Sequence, residues 1–403
     1  MRDEIRHCVR HFLAVVFRQL RDHSLRHWLI VIAILGIGTY GGHKLGEWNG
    51  WINLRYRLYQ SFLGHLSVKN PRPKRSVLVL ITDNEFWAPP LSGRSPLKRD
   101  YLANLIRKLD TGNPQVIALD VDLSATLPDN KCGEPGPYDV ENNQLFEAVR
   151  DISKERTVVL ARTVAFSDPS TNSYYSVPAI SDCAGFDSKK VHTGYITLPP
   201  DIRRVPLVLP TKGQNIDSFA SAIVRSIDEH SLDEAQRNTH DALPYGTFIQ
   251  PQQFTQYSAR DVLNSDESSL KDSFECRTVI IGGAWHLFGS QRGPENDFHR
   301  SPVGSIYGAF IHANYVEALL DSRTYTPMRE PVAIGIEVLC SAILALVLSL
   351  RFKLRWKLLL ASFVSLTLIT LSYISWQNLG IFFDFFVPEV LLVAHVVFER
   401  IKG

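Results

Sequence analysis

Hydrophobic residues form long uninterrupted segments at both ends of this chain. Three of them, residues 331–350, 358–376 and 381–398, each approach the roughly 20 residues that a helix needs to cross a bilayer. A fourth, 28–48, stands near the N-terminus, and tryptophans at its end suit a membrane interface. The pattern therefore predicts four transmembrane α-helices, one N-terminal and three C-terminal.

Between these segments the pattern changes to short apolar runs that alternate with amphipathic stretches. The runs typical of buried strands are Ser76–Thr82, Gln115–Val121, Thr157–Ala161 and Arg277–Gly282. The stretches with helical spacing are 97–109, Asn142–Ile152, Asp217–Ile227 and Tyr307–Leu320. Ser95 is the expected N-cap of the first helix, and Pro96 is expected in its first turn. Alternating strands and helices predict an α/β domain with a mainly parallel sheet.

Basic residues indicate how the spans are oriented. They crowd the amphipathic segment 1–27 and the loop 351–357 between the second and third spans. Positively charged loops remain on the cytoplasmic side, so we expect 1–27, 351–357 and the tail 399–403 inside, with 377–380 and the domain 49–330 outside. No small-residue cleavage site stands after Gly42, which favours an uncleaved anchor over a secretory peptide. This topology predicts a multi-pass protein of a bacterial inner membrane with a periplasmic domain.

The motifs of the central region resemble, in their order, the CHASE domain of the second type, an extracellular sensory module associated with cyclases and histidine kinases. The resemblance covers about Trp51 to Arg323. The motifs are NLRYRLY, VLVLITDNEFW, SPLKRDYLANLIRKLD, IALDVDLS, HTGYITLPPDIRRVPLVLP, VIIGGAWHLFGS and SPVGSIYGAFIHANYVEALLD. One departure is the missing Asp-Gly turn before Arg203 and Arg204. The resemblance implies a sensor followed by three membrane helices and then an output domain; no such domain follows residue 398 here, so we expect the signal to pass to a separate protein.

Acidic residues supply the best candidate binding site. Asp83, Asp120 and Asp122 lie at or just after the C-terminal ends of predicted strands, where open α/β sheets bind ligands. His312, near the start of the last domain helix, is expected close to them. These carboxylates could hold a divalent cation, or could pair with Arg99 or Arg204. The alternative is structural, because an Asp after a strand often caps a helix or fixes a turn.

Glycines and cysteines add weaker hypotheses. Gly282 and Gly283 follow a predicted strand as a phosphate loop would, but their surroundings match no such motif, which favours a tight turn. Cys132 and Cys183 are the candidate disulfide partners in an oxidising compartment, with Cys276 buried at the start of a strand. The alternative is that all three remain reduced.

Four ionisable residues fall within the C-terminal spans: Glu337, Asp384, Glu389 and His395. Such groups are costly in hydrocarbon and usually face a partner or water. They could line an ion path, or they could pack with their acids protonated.

Composition and motifs exclude several function classes. The chain has 43 basic and 41 acidic residues, so no overall field attracts nucleic acid. It contains no GxSxG, HExxH or paired CxxC motif and no kinase or cyclase signature, which disfavours catalysis.

We therefore expect a non-enzymatic sensor or regulator without a cofactor, apart from a possible divalent cation. Its expected partners are the lipid bilayer, a small-molecule or protein signal outside, a separate signalling protein at the cytoplasmic face and further copies of itself. The alternatives are a channel-like membrane effector and a periplasmic hydrolase.

Overall fold

The structure of the protein is a computed structural model that describes most of residues 72–322. The gaps are 125–137, 169–172, 180–181, 183, 188, 199–203, 212–213, 234–241, 245–247, 287–296 and 302, and beyond 322 only isolated positions between 331 and 374 are described. The chain divides into two compact units. One is Val68–Tyr325, and the other consists of Met1–Ser67 and Thr326–Gly403.

Six parallel strands form the central sheet of the unit Val68–Tyr325. They are β1 (Ser76–Thr82), β2 (Val116–Asp120), β3 (Thr157–Arg162), β6 (Val191–Tyr195), β11 (Thr255–Ser258) and β12 (Thr278–Ala284). Their order across the sheet is β11-β1-β12-β2-β3-β6, and every neighbouring pair is parallel. The predicted α/β class with a mainly parallel sheet is confirmed.

The four inner strands are the four that the apolar runs predicted. Their continuous apolar sequences, such as SVLVLIT and VIALD, suit strands that helices cover on both faces. The two edge strands, β6 and β11, have the mixed sequences VHTGY and TQYS and did not stand out as strands. An edge strand is partly open to solvent, so it needs no continuous apolar run.

Helices cover both faces of the sheet. They are α1 (Asp83–Phe86), α2 (Arg99–Asp110), α3 (Asp139–Ile152), α4 (Phe219–Ile227), α5 (Ala259–Asn264), α6 (Glu267–Phe274) and α7 (Gly308–Leu320). Helices α2, α3, α5 and α6 share one apolar core with Val77, Val79 and Ile81 of β1. Helices α4 and α7 contact each other and pack against sheet strands, α7 against β1 and β12. The unit is thus a three-layer α/β/α arrangement.

Helix α7 is buried along almost its whole length, including its polar side chains His312, Asn314 and Glu317. A helix that is apolar on nearly all sides belongs in the interior of a domain. Asn314 is satisfied there, because its amide bonds both the N–H and the carbonyl of Ile249. His312 and Glu317 are ionisable groups in the interior, so their contacts with other residues must offset the cost of burying them.

Smaller sheets occupy the proline-rich middle of the chain, where the sequence indicated no long element. A four-stranded sheet contains β4 (Val164–Asp168), β5 (Ser173–Ser176), β8 (Val208–Thr211) and β9 (Gln214–Asp217). Two antiparallel pairs join β7 (Arg204–Pro206) to β10 (Ala242–Pro244) and β13 (Phe298–Ser301) to β14 (Gly304–Tyr307).

The connections leave the sheet toward different faces near its centre. Strands β1 and β2 lead to α2 and α3 on one face, whereas β12, which lies between them, leads to α7 on the other. Open α/β sheets bind ligands in the crevice that such a divergence creates at the carboxyl ends of the strands. The fold therefore predicts a ligand site at the carboxyl ends of β1, β12 and β2.

One predicted helix start is wrong. Helix α2 begins at Arg99 with Lys98 as its N-cap residue, and no side chain of the cap accepts a hydrogen bond, so Ser95 is not the cap and Pro96 precedes the first turn. The carboxylate of Glu141 in α3 accepts the backbone N–H of Arg99 at 3.1 Å. A tertiary contact thus supplies the acceptor that the sequence assigned to a local side chain.

Two further local predictions are also wrong. Cys276 is exposed and has a positive φ of 55°, so it lies in a turn before β12 and not in the core. Gly282 and Gly283 form neither a tight turn nor a phosphate loop, because both belong to β12. A Cβ on Gly282 would lie 2.5 Å from the Cβ of Ala309 in α7. Gly282 therefore permits a close approach of helix to sheet.

No helix within the described part of the chain is both long enough and apolar enough to cross a bilayer. The predicted spans 28–48 and 381–398 lie outside the described residues, and those at 331–350 and 358–376 are described only at isolated positions.

Candidate functional site

A buried acid and a buried imidazole meet at the carboxyl end of β2. Asp120 is the last residue of that strand, and His312 lies one turn into α7. The His312 Nε2 atom is 3.8 Å from the Asp120 Oδ1 atom, and both side chains are at least 96% buried. This distance is too long for a direct hydrogen bond. The other carboxyl oxygen, Oδ2, has no hydrogen-bond partner among the described residues.

Two glycines lie near this pair. The Oδ2 atom of Asp120 is 3.6 Å from the position that a Cβ on Gly282 would take. A Cβ on Gly308 would overlap the carboxylate of Asp297, whose backbone carbonyl accepts the Gly308 N–H at 2.9 Å. Gly282 therefore lets α7 lie close to β12 beside Asp120, and Gly308 leaves room for the carboxylate of Asp297.

Burial controls the protonation of both groups. It raises the pKa of the Asp120 carboxyl well above its ordinary value, and the negative charge of Asp297 raises this pKa further. Burial lowers the pKa of the His312 imidazole to about 4, although Asp297 and a hydrogen bond to the backbone of Ile196 oppose the shift. The site thus favours a protonated acid beside a neutral imidazole. A ligand group placed there would meet both a proton donor and an acceptor.

Asp83 belongs to a second acid–imidazole pair. Its Oδ1 atom accepts the backbone N–H of His286 at 2.8 Å, and its Oδ2 atom lies 2.6 Å from the His286 Nδ1 atom. Strands β1 and β12 are neighbours, so the residues that follow them meet. The Trp87 indole donates to the His286 carbonyl at 3.1 Å, and Trp285 stacks on Phe86. This pair holds the ends of the two strands together.

Asp122 has local partners. Its Oδ1 atom accepts from the backbone N–H and hydroxyl of Ser124 and from the hydroxyl of Thr163. Burial acts to raise its pKa, but these hydrogen bonds and the positive charge of Arg99 lower it overall. The three aspartates predicted as one cluster therefore take part in three separate groups of contacts.

Arg99 is close to Asp122 but does not pair with its carboxylate. One guanidinium nitrogen donates to the Leu97 carbonyl at 2.5 Å and the other to the Asp122 carbonyl at 3.4 Å. The residue lines a small pocket together with Arg94, Pro96, Leu97, Ser124, Tyr138 and Asn142. The hydrogen bonds of Arg99 thus go to backbone oxygens, while the charge of the Asp122 carboxylate acts on it without a direct contact.

Several predicted site residues lie outside the described part of the chain. Arg204 is placed in β7 by its backbone alone, and its side chain is not described. The residues not described at all are Cys132, Cys183, Glu337, Asp384, Glu389 and His395. In the part of the chain that the structure describes, no three His, Cys, Asp or Glu side chains are arranged to hold a metal ion.

Sequence reasoning missed His286 at this edge and Glu317 near the opposite end of β1. His286 lies within the motif VIIGGAWHLFGS, and its position after a buried strand was the available signal. Glu317 is 1% exposed, and its carboxylate accepts the backbone N–H groups of Lys74, Arg75 and Ser76. It is the one acid of α7, and an acid buried in a largely apolar helix requires a partner.

Comparison with known families adds one match. Residues 29–350 match the CHASE2 domain family. No curated protein matches the chain, and no solved structure does.

Proposed function

Because the chain belongs to the CHASE2 domain family, we propose that it is a membrane-bound extracytoplasmic sensor or regulator that relays a signal to a separate partner protein. CHASE2 is a family of sensory domains that are typically extracellular or periplasmic. The family supports a sensor role, and the contacts around α7 support a route for the signal.

The contact between Asp120 and His312 carries the proposal. It joins the sheet edge, where a ligand would bind, to the last helix of the domain. The Oδ2 atom of Asp120 is buried without a hydrogen-bond partner among the described residues, which is energetically costly. A ligand that donates a hydrogen bond to this oxygen therefore favours one position of α7 over another. A difference in affinity between two positions of α7 is what converts binding into a signal.

Helix α7 also holds the point at which the chain enters the domain. Glu317 accepts three consecutive backbone N–H groups at 2.6–2.9 Å, and the Lys74 ammonium pairs with Asp321. The predicted spans at 28–48 and 331–350 precede Lys74 and follow Asp321 in the sequence. A shift of α7 therefore acts on both connections at once.

Exposed apolar side chains support the membrane part of the proposal. Seven of the eleven large apolar side chains that the described residues expose lie between 332 and 374: Val332, Leu339, Leu359, Phe363, Leu366, Leu371 and Ile374. The hydroxyls of Thr367 and Thr370 bond the carbonyls four residues before them. Both features suit helices that face lipid, where no water satisfies a hydroxyl.

Crosslinking from the cytoplasmic face followed by mass spectrometry tests the relay. We expect an enzyme or kinase among the crosslinked proteins. We also expect Asp120→Asn to change the yield of this crosslinked protein, because an amide cannot gain or lose a proton as the buried carboxyl group can. The exposed Asp272→Asn serves as the matched control and should leave the yield unchanged.

Recovery of identical chains alone would contradict a relay to a separate protein and would favour a self-contained assembly. Equal yields from Asp120→Asn and wild type would remove the buried pair from the signal route.

A further inference from the structure

Arg99 is a buried cation with incomplete hydrogen bonding. It is 3% exposed, and its Nε atom has no hydrogen-bond partner in the described part of the structure. Its two terminal nitrogens bond only neutral carbonyls, one of them at 3.4 Å. Burial lowers the pKa of the guanidinium, but Arg remains charged in proteins. A buried charge in these surroundings is costly unless an anion pairs with it.

The carboxylates nearest to Arg99 have other partners. Glu141 makes a bidentate pair with Arg94 and accepts the backbone N–H of Arg99. Asp122 accepts from Ser124 and Thr163 and hydrogen-bonds Arg99 only through its backbone carbonyl, although the negative charge of its carboxylate stabilises the guanidinium from a distance. The charge of Arg94 is thus matched by a carboxylate in direct contact, whereas the guanidinium of Arg99 has no such contact.

The pocket beside Arg99 is lined by groups that recognise an oxyanion. The polar side chains among its described lining residues are Arg94, Arg99, Ser124, Tyr138 and Asn142, and none of those residues carries a carboxylate. Each of these side chains has a hydrogen-bond donor. Arg94 lies over the Tyr138 ring at 5.1 Å and pairs with Glu141, which fixes its guanidinium. The pocket is shallow and partly open to solvent, so a ligand would place only its charged head against these side chains.

We propose that this pocket binds the carboxylate of a small organic acid. A guanidinium matches the planar carboxylate with two parallel N–H bonds. The single negative charge of a carboxylate also balances the charge of Arg99, the guanidinium in this pocket that no carboxylate contacts directly. A phosphate dianion would bring more charge and bulk than the pocket matches. The Asp120–His312 pair is not part of this pocket, and binding here does not depend on whether the domain relays a signal.

Titration of the full-length protein in detergent with acetate tests the proposal, with thermal unfolding and calorimetry as readouts at constant ionic strength. We expect a saturable stabilisation by acetate that chloride does not reproduce. Asn142→Ala should weaken acetate binding several-fold, and Arg99→Gln about tenfold or more, because the latter removes a charge-assisted pair. Asn143→Ala, an exposed neighbour in α3, should bind acetate as wild type does.

Three outcomes would overturn the proposal: no saturable effect of acetate beyond that of chloride, equal binding by Asn142→Ala and wild type, or saturation by inorganic phosphate and not by acetate. If Arg99→Gln does not fold, the comparison of Asn142→Ala with Asn143→Ala still decides.

Discussion

The carboxylate of Glu317 accepts the backbone N–H of Ser76 at 2.6 Å, although 241 positions separate the two residues in the chain. The contact joins the first strand of the domain to its last helix and is buried on both sides. The backbone N–H groups of Lys74 and Arg75 donate to the same carboxylate. One side chain thus fixes the distance between the entry and the exit of the domain.

Glu317→Gln should destabilise the domain by about 2–3 kcal/mol, because the amide loses the charge that strengthens three hydrogen bonds and turns an NH₂ group toward donors. Denaturant unfolding of wild type and variant would measure the loss. Glu147→Gln, at an exposed position of α3, should change the stability by no more than a few tenths of a kcal/mol. A loss of the same size in both variants would contradict a specific role of Glu317.

Gly282→Ala should destabilise the domain by roughly 1–3 kcal/mol, because the new methyl group would overlap Ala309 in α7. The double variant Gly282→Ala/Ala309→Gly should recover part of this loss, since it restores room at the same contact. Thermal unfolding of the single and double variants would measure the recovery. Additive losses in the double variant would show that the helix does not lie against the strand at this position.

Stability should fall as the pH is lowered from 6.5 to about 4, because His312 has a pKa of about 4 in the folded state and 6.5 as its ordinary value. In this interval the unfolded chain binds more protons, so acid favours unfolding, by an amount on the order of 2–3 kcal/mol in total. Denaturant midpoints measured across this pH range should slope less in His312→Gln than in wild type. His230→Gln, which replaces an exposed histidine, should keep the wild-type slope.

The carboxyl group of Asp120 should have the opposite effect on the pH dependence of stability. Its pKa is raised in the folded state, so its contribution to stability is present below its ordinary pKa of 3.8 and is lost as the pH rises through the folded value. Asp120→Asn should therefore lose less stability than wild type as the pH rises from 3.8 through the folded pKa of Asp120. The same midpoints, extended to higher pH, would measure the difference, and parallel curves would contradict the raised pKa.

Cys276 should react with a membrane-impermeant maleimide added to intact spheroplasts, because its thiol is exposed and the domain is proposed to face outward. A variant with Cys8, Cys132, Cys183 and Cys340 replaced by Ser would assign the label to this residue. Labelling that required lysis would place the domain in the cytoplasm and contradict the proposed topology. Cys276→Ser in the same background is the negative control.

The inner part of the sheet could be predicted from the sequence because those strands are covered on both faces. Their residues form continuous apolar runs, and each run begins or ends within two residues of the observed strand. The edge strands β6 and β11 carry polar side chains and left no such signal. The helix N-terminus at Arg99 could not be assigned locally, because its acceptor comes from Glu141 in another helix.

The sequence by itself determined the residue types at the carboxyl ends of the strands, since chain order places an aspartate after β1 and at the end of β2. Only the tertiary structure decided that these aspartates have different partners. Strand β12, which comes more than 150 residues later, lies between β1 and β2, so Asp83 meets His286 while Asp120 meets His312. Strand order and helix packing depend on contacts between distant segments, which no local pattern of polar and apolar residues records.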